Sequence, residues 1–214
     1  MGICAVVPVK PFDEGKTRLS SVLSKDERSN LNLNLFINTL QVLYEVAQIT
    51  KVIVTSRDPF ALSIADRYGA TALKEEGSTL NQALENATKV ALQETISRIL
   101  IIPTDLPLLS ASDLKLFISL SPTEKGIGIA PDRRCEGTNL LLTTPPGVIL
   151  YKFGANSFNR HIEQAVGKGL AVGTIHLPNL GLDLDLPEDL EFLKTSVCLT
   201  KAWNSSIINI THSS

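Results

Sequence analysis

The chain opens with "ICAVVPVKPFDEGKTRLS", residues 3–20, in which an apolar run passes directly into a basic loop. The run in residues 3–7 is continuous instead of alternating, which is typical of a strand buried on both faces of a parallel sheet. Runs of the same kind, each ending in turn residues, recur at 51–56, 98–103 and 126–131. The pattern predicts a mainly parallel sheet.

Helical patterns lie between these runs. Apolar residues recur at helical spacing from Phe36 and again from Leu80, and Ser78 or Thr79 is placed to cap the second helix. Three further helices are predicted: one from Ser110 or Ser112 to about Leu120, one from about Asn156 to Gly167, and one from Pro187 onwards. Strands that alternate with helices form βαβ units, so we predict an α/β fold, a mainly parallel sheet flanked by helices.

Length and composition predict one domain over residues 1–195, followed by a tail at 196–214 that we expect to be poorly ordered. Apolar residues make up 43% and charged residues 20% of the 214 residues, as in ordinary globular proteins. The formal charge of -2 argues against nucleic acid and against an anionic membrane surface as partners. The three cysteines are widely spaced, and the N-terminus resembles neither a signal peptide nor a membrane span, so we expect a cytoplasmic protein.

Unusual polar residues follow three of the predicted strands. They lie in the basic loop, in "TDLP" at 104–107 and in "PDRRCEGTN" at 131–139. In an open α/β sheet, ligands bind at the carboxyl ends of the strands. We therefore expect these three segments to gather on one side of the domain.

Two acidic segments are candidates for a metal site. Asp105 follows a strand and precedes a proline, where a carboxylate can bind Mg2+ or simply cap a turn. In "GLDLDLPEDL", residues 181–190, an extended backbone turns Asp183 and Asp185 to the same face. Neighbouring carboxylates repel each other unless a cation lies between them, which favours a metal. A solvated edge strand is the alternative.

The basic loop contains Lys10, Lys16 and Arg18 but a single glycine, Gly15. A loop that grips phosphate through backbone N–H groups needs several glycines. Here the donors would be side chains, two ammonium groups and a guanidinium fork. A solvated basic loop is the alternative, but its position at a strand end favours phosphate binding.

Taken together, the motifs resemble a known family over nearly the whole chain, to about Leu193. The stretches that carry the resemblance are "PVKPFDEGKTRLS", "LNQAL", "TDLPLL", "GTN", "FGANSF" and "LDLDLPEDL", in this order. They are similar to the guanylyltransferases of coenzyme F420 biosynthesis, the CofC/FbiD family. The resemblance implies a nucleotidyltransferase fold of the nucleotide-diphospho-sugar transferase type. It also implies a reaction in which GTP and phosphoenolpyruvate or 2-phospho-L-lactate give a guanosine diphosphate ester and pyrophosphate, and it is compatible with a homodimer.

The resemblance also implies roles for individual residues. Asp105, Asp183 and Asp185 match the aspartates that bind Mg2+ in the family. Residues that match Thr138, Gly154 and Ser157 hold the phosphorylated three-carbon acid. The catalytic set consists of Asp105 and the basic loop, which faces the triphosphate through Lys10, Lys16 and Arg18; Asn81 lies where the nucleoside is expected.

Three alternatives stay open at this point. The acceptor can be phosphoenolpyruvate, which we favour, 2-phospho-L-lactate or 3-phosphoglycerate, because a pocket discriminates weakly between such similar acids. Another transferase of the same fold would act on a sugar or polyol phosphate. A non-catalytic nucleotide-binding module would bind GTP without turnover.

Overall fold

A computed structural model describes residues 2–75 and 79–197, which form a central sheet with helices on both faces. The strands are β1 (Gly2–Val9), β2 (Ile49–Ser56), β3 (Thr71–Lys74), β4 (Ile96–Ile101), β5 (Gly126–Pro131), β6 (Thr138–Thr144) and β7 (Ala171–Thr174). The helices are α1 (Lys25–Tyr44), α2 (Pro59–Arg67), α3 (Leu80–Ala91), α4 (Ala111–Leu120), α5 (Ser157–Gly167), α6 (Pro178–Gly181) and α7 (Pro187–Val197). The predicted α/β class with a mainly parallel sheet is confirmed.

The strands lie in the order β3-β2-β1-β4-β6-β5-β7. Strand β6 runs antiparallel to both β4 and β5, while the other pairs are parallel. The first residue of β6, Thr138, therefore pairs with Pro131 at the end of β5. This reversal places the start of β6 at the edge where the parallel strands end, and that edge is where ligands bind in such sheets.

Strand β1 is buried on both faces, as its continuous apolar run predicted. Ala5 and Val7 belong to the hydrophobic cluster on one side of the sheet, and Cys4 and Val6 belong to the cluster on the other side. Successive side chains of a strand point to opposite faces, so each cluster receives every second residue.

A third hydrophobic cluster lies under the edge of the sheet and joins segments that are far apart in the chain. It consists of Leu19, Leu23, Leu31, Leu35, Leu182, Leu184, Leu190 and Leu193. The basic loop, α1, the segment before α7 and α7 itself all contribute to it. We call it the leucine cluster; burial of these side chains fixes the basic loop against the acidic segment.

Several helix ends follow from local capping chemistry. Thr79 caps α3, Ser110 caps α4 and Asn156 precedes α5, as predicted. Ser78 lies outside the described residues. Most of the predicted tail, residues 198–214, lies outside them as well, and its first two residues, 196 and 197, form the end of α7. The sequence patterns did not reveal five elements: α2, β3, β6, β7 and α6.

The segment with Asp183 and Asp185 is not a strand, so the alternative of an edge strand is wrong. Within residues 2–75 and 79–197, no helix combines the length and the apolar character needed to cross a membrane.

Candidate active site

The basic loop joins β1 to α1 and is shaped by backbone geometry as well as by packing. Lys16 adopts a left-handed conformation with φ 56°, which is uncommon for a residue other than glycine. Leu19, in the short 3-10 turn that follows, is fully buried in the leucine cluster. The amide of Asn32 on α1 donates to the carbonyl of Phe12 over 2.8 Å. These contacts turn the Lys16 side chain inwards, while Lys10 and Arg18 stay exposed.

Lys16 lies between two of the predicted metal ligands. Its Nζ is 2.9 Å from Asp185 Oδ1 and 3.6 Å from Asp105 Oδ2, and the lysine side chain is only 7% exposed. The backbone joins the same two segments, because Leu184 N donates to the Asp105 carbonyl over 2.9 Å. The structure thus brings together carboxylates that are about 80 residues apart in the sequence. We call Lys16, Asp105, Asp183 and Asp185 the acidic cluster.

The carboxylates of the acidic cluster are in different electrostatic environments. Burial raises the pKa of Asp183 to about 6, and the charges of Asp105, Asp185 and Asp132 act in the same direction. Burial also acts to raise the pKa of Asp185, but the charge and hydrogen bond of Lys16, with Arg18 and Lys10, hold this pKa below its ordinary value. Lys16 therefore favours the charged form of Asp185, whereas burial and the neighbouring carboxylates disfavour the charged form of Asp183.

The oxygen atoms of the acidic cluster are of the kind that binds magnesium. Carboxylate oxygens suit Mg2+, and Asp105 Oδ1 is buried without a hydrogen-bond partner among the described residues. In the arrangement described, however, residues 2–75 and 79–197 contain no group of three His, Cys, Asp or Glu side chains that could hold a metal ion together. The chemistry of the residues fits the ion, and magnesium binding by the three aspartates stays a prediction.

The acidic cluster opens into a pocket of about 660 Å³. The three cationic side chains of the basic loop line it, together with Asp105 and Asp185. Arg57, Glu75 and Leu80 form part of its wall as well. A pocket of this size holds a nucleotide-sized ligand, and its charges place cations opposite carboxylates.

A second group of predicted residues forms where β6 begins. Thr138 Oγ1 accepts from Ser157 Oγ over 3.1 Å and lies 3.2 Å from His161 Nδ1. All three residues are buried, with exposures of 7%, 2% and 0%. We call Thr138, Ser157 and His161 the hydroxyl cluster. Gly154 lies in the loop before α5 with φ 117°, a conformation that favours glycine.

The start of α5 offers fewer amides to an anion than the sequence suggested. Ser157 N donates to the Gly154 carbonyl, and Phe158 N donates to the Glu136 carbonyl, each over 3.1 Å. Both amides are therefore used within the protein, and binding of the acid by Thr138, Gly154 and Ser157 stays a prediction.

Asn81, predicted near the nucleoside, pairs with the backbone of Phe153. Its Oδ1 accepts from Phe153 N over 2.8 Å, and its Nδ2 donates to Phe153 O over 3.2 Å. This side chain fastens the loop before α5 to α3, and a contact with the nucleoside stays a prediction.

Two functional supports were missed in the sequence. Asp189 accepts from the backbone N–H groups of Asp185 and Leu186 and forms an ion pair with Arg133, so it holds the acidic segment at the start of α7. The signal was its place in the first turn after Pro187. His161 could have been found from its spacing of four residues after Ser157, which puts both on one helix face.

Curated relatives resemble the chain over nearly its full length. It is 38% identical over 92% of its length to a phosphoenolpyruvate guanylyltransferase of Rubrobacter xylanophilus, of which it covers 95%. It is 39% identical over 90% of its length to a phosphoenolpyruvate guanylyltransferase of Sphaerobacter thermophilus, of which it covers 93%. A 2-phospho-L-lactate guanylyltransferase of Methanocaldococcus infernus is 32% identical over 86% of this chain and 81% of the relative.

Solved structures support the fold. A protein from Desulfovibrio desulfuricans assigned as a nucleotide-diphospho-sugar transferase superposes with a TM-score of 0.76 at 17% identity, over 97% of this chain and 94% of the other. A cytidylyltransferase from Leptospira borgpetersenii gives a TM-score of 0.60 at 14% identity, over 99% of this chain and 92% of the other. The fold is thus that of the nucleotidyltransferases, as the resemblance implied.

The family described as guanylyl transferase CofC like matches residues 3–201, which is nearly all of the sequence. This match agrees with the relatives and with the acidic edge of the sheet, and the chain belongs to the CofC-like guanylyl transferases.

Proposed function

We propose that this chain transfers a guanylyl group from GTP to the phosphate of phosphoenolpyruvate and releases pyrophosphate, as a step of coenzyme F420 biosynthesis. Membership of the family supports the reaction class. The names of the two relatives at 38% and 39% identity support phosphoenolpyruvate as the acceptor. 2-Phospho-L-lactate is the second candidate, because a relative at 32% identity bears that name.

One observation carries the proposal: a nearly buried ammonium group, Lys16, lies between Asp105 and Asp185 at the wall of a charged pocket. A triphosphate and its divalent cation need both signs of charge within a few ångströms of each other. The cationic loop supplies one sign and the carboxylates supply the other. Such an arrangement suits nucleotidyl transfer better than it suits the binding of a neutral ligand.

In the proposed reaction, a phosphate oxygen of the acid attacks the α-phosphorus of GTP. The new P–O bond forms as the bond to the β-phosphate breaks, and pyrophosphate leaves with the electron pair. The second pKa of a phosphate monoester is about 6, so the nucleophile is already ionised near neutral pH. A general base is therefore unnecessary, and this chain's residues act by binding, orientation and charge.

Lys10, Lys16 and Arg18 bind the triphosphate and offset the charge of the departing pyrophosphate. Asp105, Asp183 and Asp185 would hold Mg2+, which, when bound, neutralises phosphate charge and polarises the reacting phosphoryl group. The unpartnered Oδ1 of Asp105 and the raised pKa of Asp183 support that assignment.

The acid occupies the edge of the sheet near Thr138, Gly154 and Ser157 in this proposal. Two buried hydroxyls and a glycine with positive φ offer compact polar contacts to a small anion. These contacts do not distinguish a planar acid from a tetrahedral one, since the two differ by two hydrogens.

The test is a pyrophosphate-release screen of ATP, CTP, GTP and UTP against phosphoenolpyruvate, 2-phospho-L-lactate and 3-phosphoglycerate, with and without Mg2+. We expect turnover with GTP and phosphoenolpyruvate that depends on the metal. A sugar phosphate is included in the same screen as a further acceptor, and turnover of CTP or UTP with it would replace the proposal with another transferase of the same fold. GTP binding without turnover on any of these acids would indicate a nucleotide-binding module.

We also propose a cytoplasmic location, where GTP and phosphoenolpyruvate are both available. A homodimer stays a prediction, and sedimentation of the purified chain would test it.

A further inference from the structure

The hydroxyl cluster contains a histidine that the proposed reaction does not use. His161 is fully buried on α5, and each of its ring nitrogens has one polar neighbour. Nε2 accepts from the backbone N–H of Lys152 over 2.9 Å. Nδ1 lies 3.2 Å from Thr138 Oγ1.

The contact with Lys152 determines the position of the ring proton. A ring nitrogen that accepts a hydrogen bond carries no hydrogen, and a neutral imidazole carries its hydrogen on the other nitrogen. The ring is kept neutral, because burial, with the charges of Arg160 and Lys152, lowers the pKa of His161 to about 4. Nδ1 therefore bears the hydrogen and donates it to Thr138 Oγ1.

The backbone that imposes this tautomer is itself held in place. Lys152 is followed by Phe153, whose N–H and carbonyl both pair with the side-chain amide of Asn81. The Phe153 ring also packs edge-on against the His161 ring, with centroids 5.0 Å apart. The orientation of the imidazole is thus fixed from two sides.

A count of hydrogens shows what the tautomer does. Thr138 Oγ1 accepts from His161 and from the hydroxyl of Ser157. Even if the hydroxyl–hydroxyl bond runs the other way, the two hydroxyls share one bond and retain one hydrogen. Among the described residues, that remaining hydrogen meets no protein acceptor. With the opposite tautomer, Thr138 would donate to Nδ1 and Ser157 to Thr138, and no hydroxyl hydrogen would remain.

We propose that His161 is a positioning residue for the acid substrate: by donating Nδ1–H to Thr138, it keeps one hydroxyl hydrogen of the Thr138 and Ser157 pair available for the carboxylate or phosphate of the acid. This inference rests on the proposed function, because it concerns the acid site of that reaction. It adds a residue that never touches substrate and acts only through Thr138.

The kinetic test compares His161→Gln with His161→Asn, using GTP and phosphoenolpyruvate. The glutamine amide reaches the place of Nε2 and can accept from Lys152, but it leaves no donor at the place of Nδ1. The asparagine amide lies near the place of Nδ1 and can still donate to Thr138. We expect His161→Gln to raise KM for phosphoenolpyruvate about tenfold or more, with KM for GTP within about twofold, and His161→Asn to restore much of the loss.

A double-mutant cycle separates positioning from general support of the fold. In the Thr138→Val background the hydroxyl that His161 contacts is absent, so the additional change His161→Gln should alter the acid KM by less than about twofold. His176→Gln is the matched control, because His176 is exposed and lies outside the hydroxyl cluster. It should leave both KM values unchanged.

A spectroscopic measurement on the unmodified chain is independent of turnover and of how the variants fold. The chain has three histidines, so 15N-labelled imidazoles can be resolved by long-range 1H–15N correlation. We expect one histidine to be locked with its hydrogen on Nδ1 from pH 6 to pH 8. Any of three results would overturn the inference: a hydrogen on Nε2 of His161, an unchanged KM for the acid in His161→Gln, or additive effects in the double-mutant cycle. Loss of turnover in the unmodified chain would instead overturn the proposed function.

Discussion

The acidic cluster and the hydroxyl cluster lie at the same edge of the sheet but are built on opposite principles. In the first, one ammonium group lies between the carboxylates of Asp105 and Asp185, whose side chains are 28% and 44% exposed, and Asp183 adds a third carboxylate. In the second, neutral groups form a buried chain of hydrogen bonds. One cluster has charge left to compensate, and the other has a single hydrogen left to donate.

This difference suits two kinds of recognition. A triphosphate with its cation is bound by charge, which acts over several ångströms and tolerates movement. A small acid is bound by short hydrogen bonds, which require fixed donors in a rigid setting. Variants should therefore affect the two clusters differently, through charge in one and through hydrogen-bond geometry in the other.

The largest effect is expected from Asp105→Asn. The change removes one negative charge from the acidic cluster while it preserves shape, and electrostatic contributions to catalysis of this kind are worth about 3 kcal/mol or more. We expect kcat/KM to fall at least about 100-fold with a normal circular dichroism spectrum. The matched control is Asp66→Asn, on the exposed face of α2. Near-normal turnover of Asp105→Asn itself would show that this residue does not belong to the predicted metal site.

The hydroxyl cluster should respond to acid through stability. His161 has its pKa lowered to about 4 from 6.5, so the unfolded chain binds a proton more readily than the folded one. Stability from this residue is complete above pH 6.5 and is lost as the pH falls towards 4, by about 2 kcal/mol at pH 5. The raised pKa of Asp183 has the opposite sign and cancels when unfolding of the chain and of His161→Asn is compared. Urea titrations from pH 7 to pH 5 measure the difference, and parallel curves would show that His161 titrates normally.

The two clusters also differ in how much of their structure could be predicted from the sequence. Continuous apolar runs predicted the parallel sheet, and the sheet then predicted that Asp105 and the basic loop share one edge. The contact of Lys16 with Asp185 could not be predicted from the sequence, because it depends on the left-handed backbone of Lys16 and on burial of leucines from four segments. Such non-local packing leaves no local periodicity.

The hydroxyl cluster was even harder to predict from the sequence. Strand β6 carries Thr138, and a short run of apolar and threonine residues does not reveal whether its strand is parallel or antiparallel. Thr138 meets His161 across 23 residues of sequence. Ser157 and His161 share a helix face, but only the antiparallel direction of β6 shows that both contact the hydroxyl of Thr138.

A smaller effect is expected from Lys16→Ala. The variant removes the ammonium group that binds the triphosphate in the proposed reaction, so KM for GTP should rise roughly tenfold, and more than KM for phosphoenolpyruvate. Lys115→Ala, on the exposed face of α4, should change neither constant. A rise confined to the acid KM would move the basic loop to the other substrate and would erase the division between the clusters.

The smallest effect should come from Gly15→Ala, which tests how firmly the basic loop must be held. An added Cβ would lie 2.5 Å from Asn32 Nδ2, the group that donates to the Phe12 carbonyl. The amide must move, and the loop loses one of its ties without losing any charge. We expect KM for GTP to rise a few-fold and stability to fall by about 1 kcal/mol. Gly167→Ala is the control, because a Cβ there meets nothing within 4 Å. If Gly15→Ala matched Lys16→Ala in its effect on GTP, the acidic side of the site would depend on geometry as strictly as the hydroxyl cluster does, and charge alone would no longer explain how the loop binds.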